Sequence, residues 1–239
     1  MNLSALFSLV FGIYALGWLV CCLSFFSNEK YGDKWGERLL LLGLAVQILY
    51  IGMDYLASGD FLFDSLSGLF LFLSFFTIAI FSILDKKFPN QIFKIIFPPV
   101  GIFFLVLSVT ISDQAIVAKQ FLDRSTTFGK FMLISHASCA MLGYLLFGVA
   151  CLTSMFYLYQ EDKIKSKKLL LQNVKVPSLG FLDKLNYKVI TVGFLFLSVG
   201  ILLGINMKIV ASNGEIAFSL RQAFPVATCA IYALFLIDR

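Results

Sequence analysis

Charge is scarce in this chain. Only 14% of its residues are Asp, Glu, Lys or Arg, against 59% hydrophobic, and the mean hydropathy is +0.90. A water-soluble domain of this size needs far more polar surface, so lipid must serve as part of the solvent. Also missing are the blocks of like charge and low hydrophobicity that mark disorder. Nucleic-acid binding finds no support in such a composition. The five cysteines, Cys21, Cys22, Cys139, Cys151 and Cys229, lie in apolar stretches and make no CxxC pair, which argues against a disulfide framework or a structural zinc site. No phosphate-binding glycine loop, HExxH, GxSxG or pair of carboxylates on one rigid element occurs, so enzymatic chemistry by a known soluble motif is disfavoured. Histidine is almost absent: His136 is the only one.

Long apolar runs are what the chain has instead. Spanning a bilayer takes about 20 mostly apolar residues in a helix. Seven runs qualify, 3–26, 39–56, 65–84, 92–112, 131–159, 189–207 and 217–237, which predicts an all-α polytopic transmembrane bundle of about seven spans. The seventh is the weakest, because Arg221 and Pro225 interrupt its start and its spanning part begins near Phe224. The first run lacks a basic leader and a small-residue cleavage site and reads as a retained helix. A single integral membrane domain is expected, with 1–127 as an N-terminal four-helix part and 128–239 as the remainder.

Basic residues are unevenly placed. Lys30, Lys34 and Arg38, then Lys86, Lys87 and Lys94, then the lysines from Lys163 to Lys188, fall on one side together with Arg239. The other side has Lys119, Arg124, Lys130, Lys208 and Arg221. The positive-inside rule then predicts the N-terminus outside and the C-terminus in the cytoplasm. His136 falls near the outer end of the fifth span, on the side of the 208–222 turn. The lysine run 163–168 reads first as a topology signal with affinity for anionic headgroups, and second as a partner surface.

An ionisable, metal-capable side chain at a membrane boundary is a functional-site candidate. On a helix, His136, Ala140, Gly143 and Phe147 share one stripe. Small residues beside an imidazole leave a hollow for a planar ligand such as haem, with the ring nitrogen as axial donor. The same stripe also suits close helix packing, and the Ser135, Cys139, Gly143 ladder has that form. One histidine cannot supply bis-histidine ligation. Among Met132, Met141 and Met207 the last is the best second donor. Gln47 and Asp54 share a face of the second span, Asp54 as an interfacial residue or a partner for Lys130 or Arg124. Glu215 and Arg221 sit where charged groups of a ligand could be oriented. A transporter would need midplane polar sites in repeated halves, and Gln47 and Asn206 without an internal repeat support that poorly.

The order of features from the fifth span onward is distinctive. His136-Ala-Ser-Cys-Ala-Met-Leu-Gly-Tyr144 is followed by a basic linker, Pro177-Ser178-Leu179, Leu182-Asp-Lys-Leu-Asn-Tyr-Lys188, and a span bearing Gly193, Gly200 and Gly204. Over Phe128 to Arg239 this resembles the cytochrome c assembly proteins, which include CcsA-type haem-handling and HemX-like proteins. The resemblance implies a protein of the bacterial cytoplasmic membrane that handles haem at its outer face. His136 would be the iron's axial ligand, and the partners would be apocytochrome c or a companion assembly protein. The helix spacing and the search for a second donor add Ala140, Gly143 and Met207 as residues expected to line the haem site. It departs at two points. The 208–222 loop holds no tryptophan, and Ile237 stands where haem-transporting members carry another histidine. Both departures point to the HemX-like branch, associated with haem synthesis or its control. Its members suggest the alternative of a non-catalytic regulator or scaffold acting through the 160–188 loop.

Overall fold

The computed structural model describes residues 3–27, 30–59, 62–63, 65–87, 91–111, 127–166, 178–211 and 220–238. They form seven helices and, among the described residues, no strand: α1 (Leu3–Ser27), α2 (Lys30–Ser58), α3 (Leu66–Lys87), α4 (Gln91–Thr110), α5 (Thr127–Lys165), α6 (Leu179–Ala211) and α7 (Leu220–Asp238). The all-helical expectation holds for a physical reason, since in lipid a helix satisfies its own backbone hydrogen bonds. The first six are long and apolar enough to cross a membrane. The apolar part of α7, Ala223–Asp238, is shorter. Lys119, Arg124, Glu215 and the lysines 167–175, singled out in the sequence, lie outside the described residues.

Two units divide the chain, Met1–Gln120 and Phe121–Arg239. In the first, α1 packs along α2, α3 along α4, and α4 against α1. Hydrophobic burial gives little drive between helices in lipid, so close approach and interhelical hydrogen bonds carry the association. Gly43 shows the first device: a Cβ there would run into the ring of Tyr14. The second is a buried chain in which the Tyr14 hydroxyl donates to Gln47 Oε1 at 2.6 Å and Gln47 Nε2 donates to the Leu71 carbonyl at 3.3 Å. Trp18 Nε1 donates to the Ile95 carbonyl at 3.0 Å, tying α1 to α4. Gly59, at φ 71°, ends α2 in the left-handed region that glycine occupies without a Cβ penalty, and its N–H returns to the Tyr55 carbonyl.

Three helices run past their apolar segments. α2 starts nine residues before the run at Leu39, α5 continues to Lys165, and α6 starts at Leu179, ten residues before Val189. Local capping explains α6: Ser178 accepts the Phe181 N–H on its hydroxyl and the Leu182 N–H on its carbonyl. The Leu182–Lys188 stretch is therefore the start of α6 and not part of a linker. Leu182, Leu185, Val189 and Ile190 are buried along it. Between them Asn186 clamps α5, accepting from the Thr153 hydroxyl at 3.0 Å and donating to Ser154 Oγ at 2.9 Å.

Candidate functional site

The second unit is built on an antiparallel seam between α5 and α6, with α7 against it. From one end to the other, a Cβ on Gly193 would meet the Phe147 ring at 3.0 Å, one on Gly143 the Leu197 nitrogen at 2.9 Å, and one on Gly200 the Ala140 nitrogen at 3.0 Å. At the far end a Cβ on Gly204 would meet the His136 ring, at 2.7 Å from Cε1 and 3.0 Å from Nδ1. The stripe His136, Ala140, Gly143 and Phe147 thus faces Gly204, Gly200, Leu197 and Gly193 in turn. Ala140 and Gly143 lie against α6 main chain, which is the close packing that small residues permit. Phe147 also stacks on Tyr232 of α7, with ring centroids 3.8 Å apart.

His136 is half-buried, and its Nδ1 lies 2.6 Å from the Gly200 carbonyl oxygen. A carbonyl can only accept, so Nδ1 carries the proton and donates. In the neutral form of such a ring the lone pair falls on Nε2, for which no protein hydrogen bond occurs among the described residues. This is the arrangement in which a backbone carbonyl holds one ring nitrogen so that the other is presented to a metal. Among the described residues no three His, Cys, Asp or Glu side chains stand together as a metal cluster.

The other residues singled out from the sequence separate clearly. Met207 is half-buried on α6, three residues beyond Gly204 and on the helical face that Gly200 and Gly204 share. Met132 and Met141 are half-buried on α5. Gln47 is fully buried in its bond with Tyr14 and has a packing role, whereas Asp54, seven residues on, is half-buried. Trp35 is exposed, with the Arg38 guanidinium 5.3 Å above its ring. The five cysteines form no disulfide.

One constellation escaped the sequence reading. Lys94, counted there only among the basic residues of one side, is buried in the first turn of α4, where it pairs with Glu37 of α2 and lies 3.5 Å from Asp85 of α3. Acids ending the neighbouring apolar runs were the available signal. A charge within a membrane helix is tolerated when it is paired in this way.

A family described as Cytochrome C assembly protein matches residues 61–206. No curated protein and no solved structure matches the chain. The match begins before α3, further towards the N-terminus than the resemblance starting at Phe128, and it stops before Met207 and α7. It takes in His136, both glycines beneath its ring, the Asn186 clamp and the Asp85–Lys94 pair. Spanning more than half the chain and the whole of the histidine seam up to Asn206, it establishes that this is a member of the cytochrome c assembly protein family.

Proposed function

We propose that the protein binds haem at the outer face of the bacterial cytoplasmic membrane during cytochrome c biogenesis, with His136 Nε2 as an axial ligand of the iron. The observation that carries this reading is the Nδ1–H bond to the Gly200 carbonyl, which leaves Nε2 without a hydrogen-bond partner among the described residues. The placement uses the charge bias of the loops: with the basic side in the cytoplasm, the N-terminus is outside, and the His136 end of the seam faces out. Haem, when bound, brings an iron that accepts imidazole as a donor and is the group destined for a cytochrome.

The protein's own residues bind and orient. The Gly200 carbonyl holds the ring, and Ala140 and Gly143 hold α5 on α6. Because α6 covers those two small residues, a planar ligand on Nε2 lies beyond the seam and not within it. Met207, on the same α6 face as the glycines, is the second donor we assign. Were haem bound, His136 and Met207 would offer it one nitrogen and one sulfur donor, a set that favours a higher potential than two nitrogens. Apocytochrome c or a companion assembly protein is the partner from which the outer face would receive or to which it would pass its ligand. The test is the absorption spectrum of detergent-purified protein, oxidised and reduced, beside His136→Ala. Soret and α-bands in the wild type that the variant loses are the expected result. A wild type that stays colourless and takes up no added haem removes the proposal, and so does a variant with an unchanged spectrum.

A further inference from the structure

We infer that Gly200 and Gly204 form a tautomer-selecting seat for His136, in which the α6 backbone fixes the proton on Nδ1 before any ligand arrives. This deepens the proposed haem reading and, for its link to iron, rests on it. The two glycines act through different atoms. Gly200 supplies the acceptor, its carbonyl 2.6 Å from Nδ1. A helical carbonyl has a second lone pair beyond the one used within the helix, so it can take this bond without breaking the ladder. Gly204 supplies the space, since any Cβ there would press on Cε1 and Nδ1 of the same ring.

The reason for such a seat is chemical. A free imidazole divides its proton between two nitrogens, and only the form with an unprotonated Nε2 can present that atom to a metal. A bond to a backbone oxygen commits the ring to one form and one orientation, so ligation requires no rearrangement of the proton. Backbone is well suited to the task because a carbonyl oxygen neither titrates nor rotates away. Gly200 and Gly204 are therefore positioning residues: neither is a donor to the iron.

The lone histidine makes the proposal directly measurable. In protein labelled with 15N-histidine every imidazole signal belongs to His136. Long-range proton–nitrogen correlation spectra of the haem-free protein in detergent, taken well above the ordinary imidazole pKa of about 6.5, show which nitrogen carries the proton. The wild type is expected to show one form, protonated at Nδ1. Gly204→Ala is expected to lose it in favour of the Nε2-protonated form or a mixture, because the ring is a side-chain end that can move. Gly193→Ala is the control: its Cβ would meet the Phe147 ring at 3.0 Å in the same seam, far from the histidine, and the Nδ1–H pattern should persist. In the haem-loaded protein Gly204→Ala should speed haem loss to an acceptor globin by about 10- to 100-fold, the range for disturbing a ligand's supporting hydrogen bond.

An Nε2-protonated or mixed wild type overturns the inference, and a Gly204→Ala spectrum identical to wild type does so too. The two readings fail separately. An Nδ1–H wild type that never takes up haem upholds the seat and sinks the haem assignment. Haem bound through His136 in a protein whose free form is Nε2-protonated does the reverse.

Discussion

Lys94→Ala is expected to lower the stability of the protein by about 3–5 kcal/mol, the usual cost of removing one partner from a buried ion pair. The lysine side chain is 5% exposed and Asp85 is 4% exposed, so truncation leaves a carboxylate in low dielectric without its cation. Glu37, at 34% exposure, can recover part of its hydration and should contribute less. The magnitude comes from the uncompensated charge and not from the net worth of the pair. Lys94→Ala combined with Asp85→Asn should therefore recover much of the loss. Denaturant or thermal unfolding in detergent, followed by circular dichroism, reads both variants. A loss below about 1 kcal/mol, the range of solvated surface pairs, would mean that water reaches the triad, and the buried-pair account would fail.

The same three residues show where the sequence stops being informative. Counting charges for orientation treats each lysine as a point charge at a span's end, which serves for the exposed Lys165, bridged to Glu161 on its own helix, but misplaces Lys94. Its partners lie on α2 and α3, 57 residues and 9 residues away in the chain, and nothing in hydropathy brings them together. The helices themselves were legible, because a run such as 65–84 cannot cross lipid in any other form and duly lies within Leu66–Lys87 once Ser65 caps it. The polar extensions of α2, α5 and α6 were not, since they depend on caps and on contacts such as Asn186 with Thr153 and Ser154.

At the candidate site the division falls differently. His136 stood out through the rarity of histidine, but its partner is a main-chain oxygen, and a carbonyl has no letter in the sequence. The glycines of α6 were visible only as part of a family-like order. For Ala140 and Gly143 the spacing fitted a packing stripe and also a ligand hollow. The close approach of α6 main chain to both supports packing.

Backbone contact between α5 and α6 predicts that one substitution changes sign along a single helix. In a helix interior, glycine to alanine is worth up to about 1 kcal/mol in favour of alanine, from backbone entropy. Gly148 of α5 is exposed and its Cβ would meet nothing within 4 Å, so Gly148→Ala should keep that gain and raise the unfolding midpoint. Gly143 lies five residues earlier, and its Cβ would sit 2.9 Å from the Leu197 nitrogen and 3.1 Å from its Cα. These are backbone atoms of the facing helix, which no rotamer change can move aside. Gly143→Ala must push α6 outward, at about 1–3 kcal/mol for overpacking, and the midpoint should fall despite the propensity gain. The displacement is two helical turns from His136 and acts on the helix that carries the Gly200 carbonyl. On the proposed haem reading, Gly143→Ala should also weaken haem retention, while Gly148→Ala leaves it unchanged. An ordering of midpoints with Gly143→Ala at or above Gly148→Ala would show that α5 and α6 are not in backbone contact. The small-residue stripe would then be open surface again, available to a planar ligand along its length.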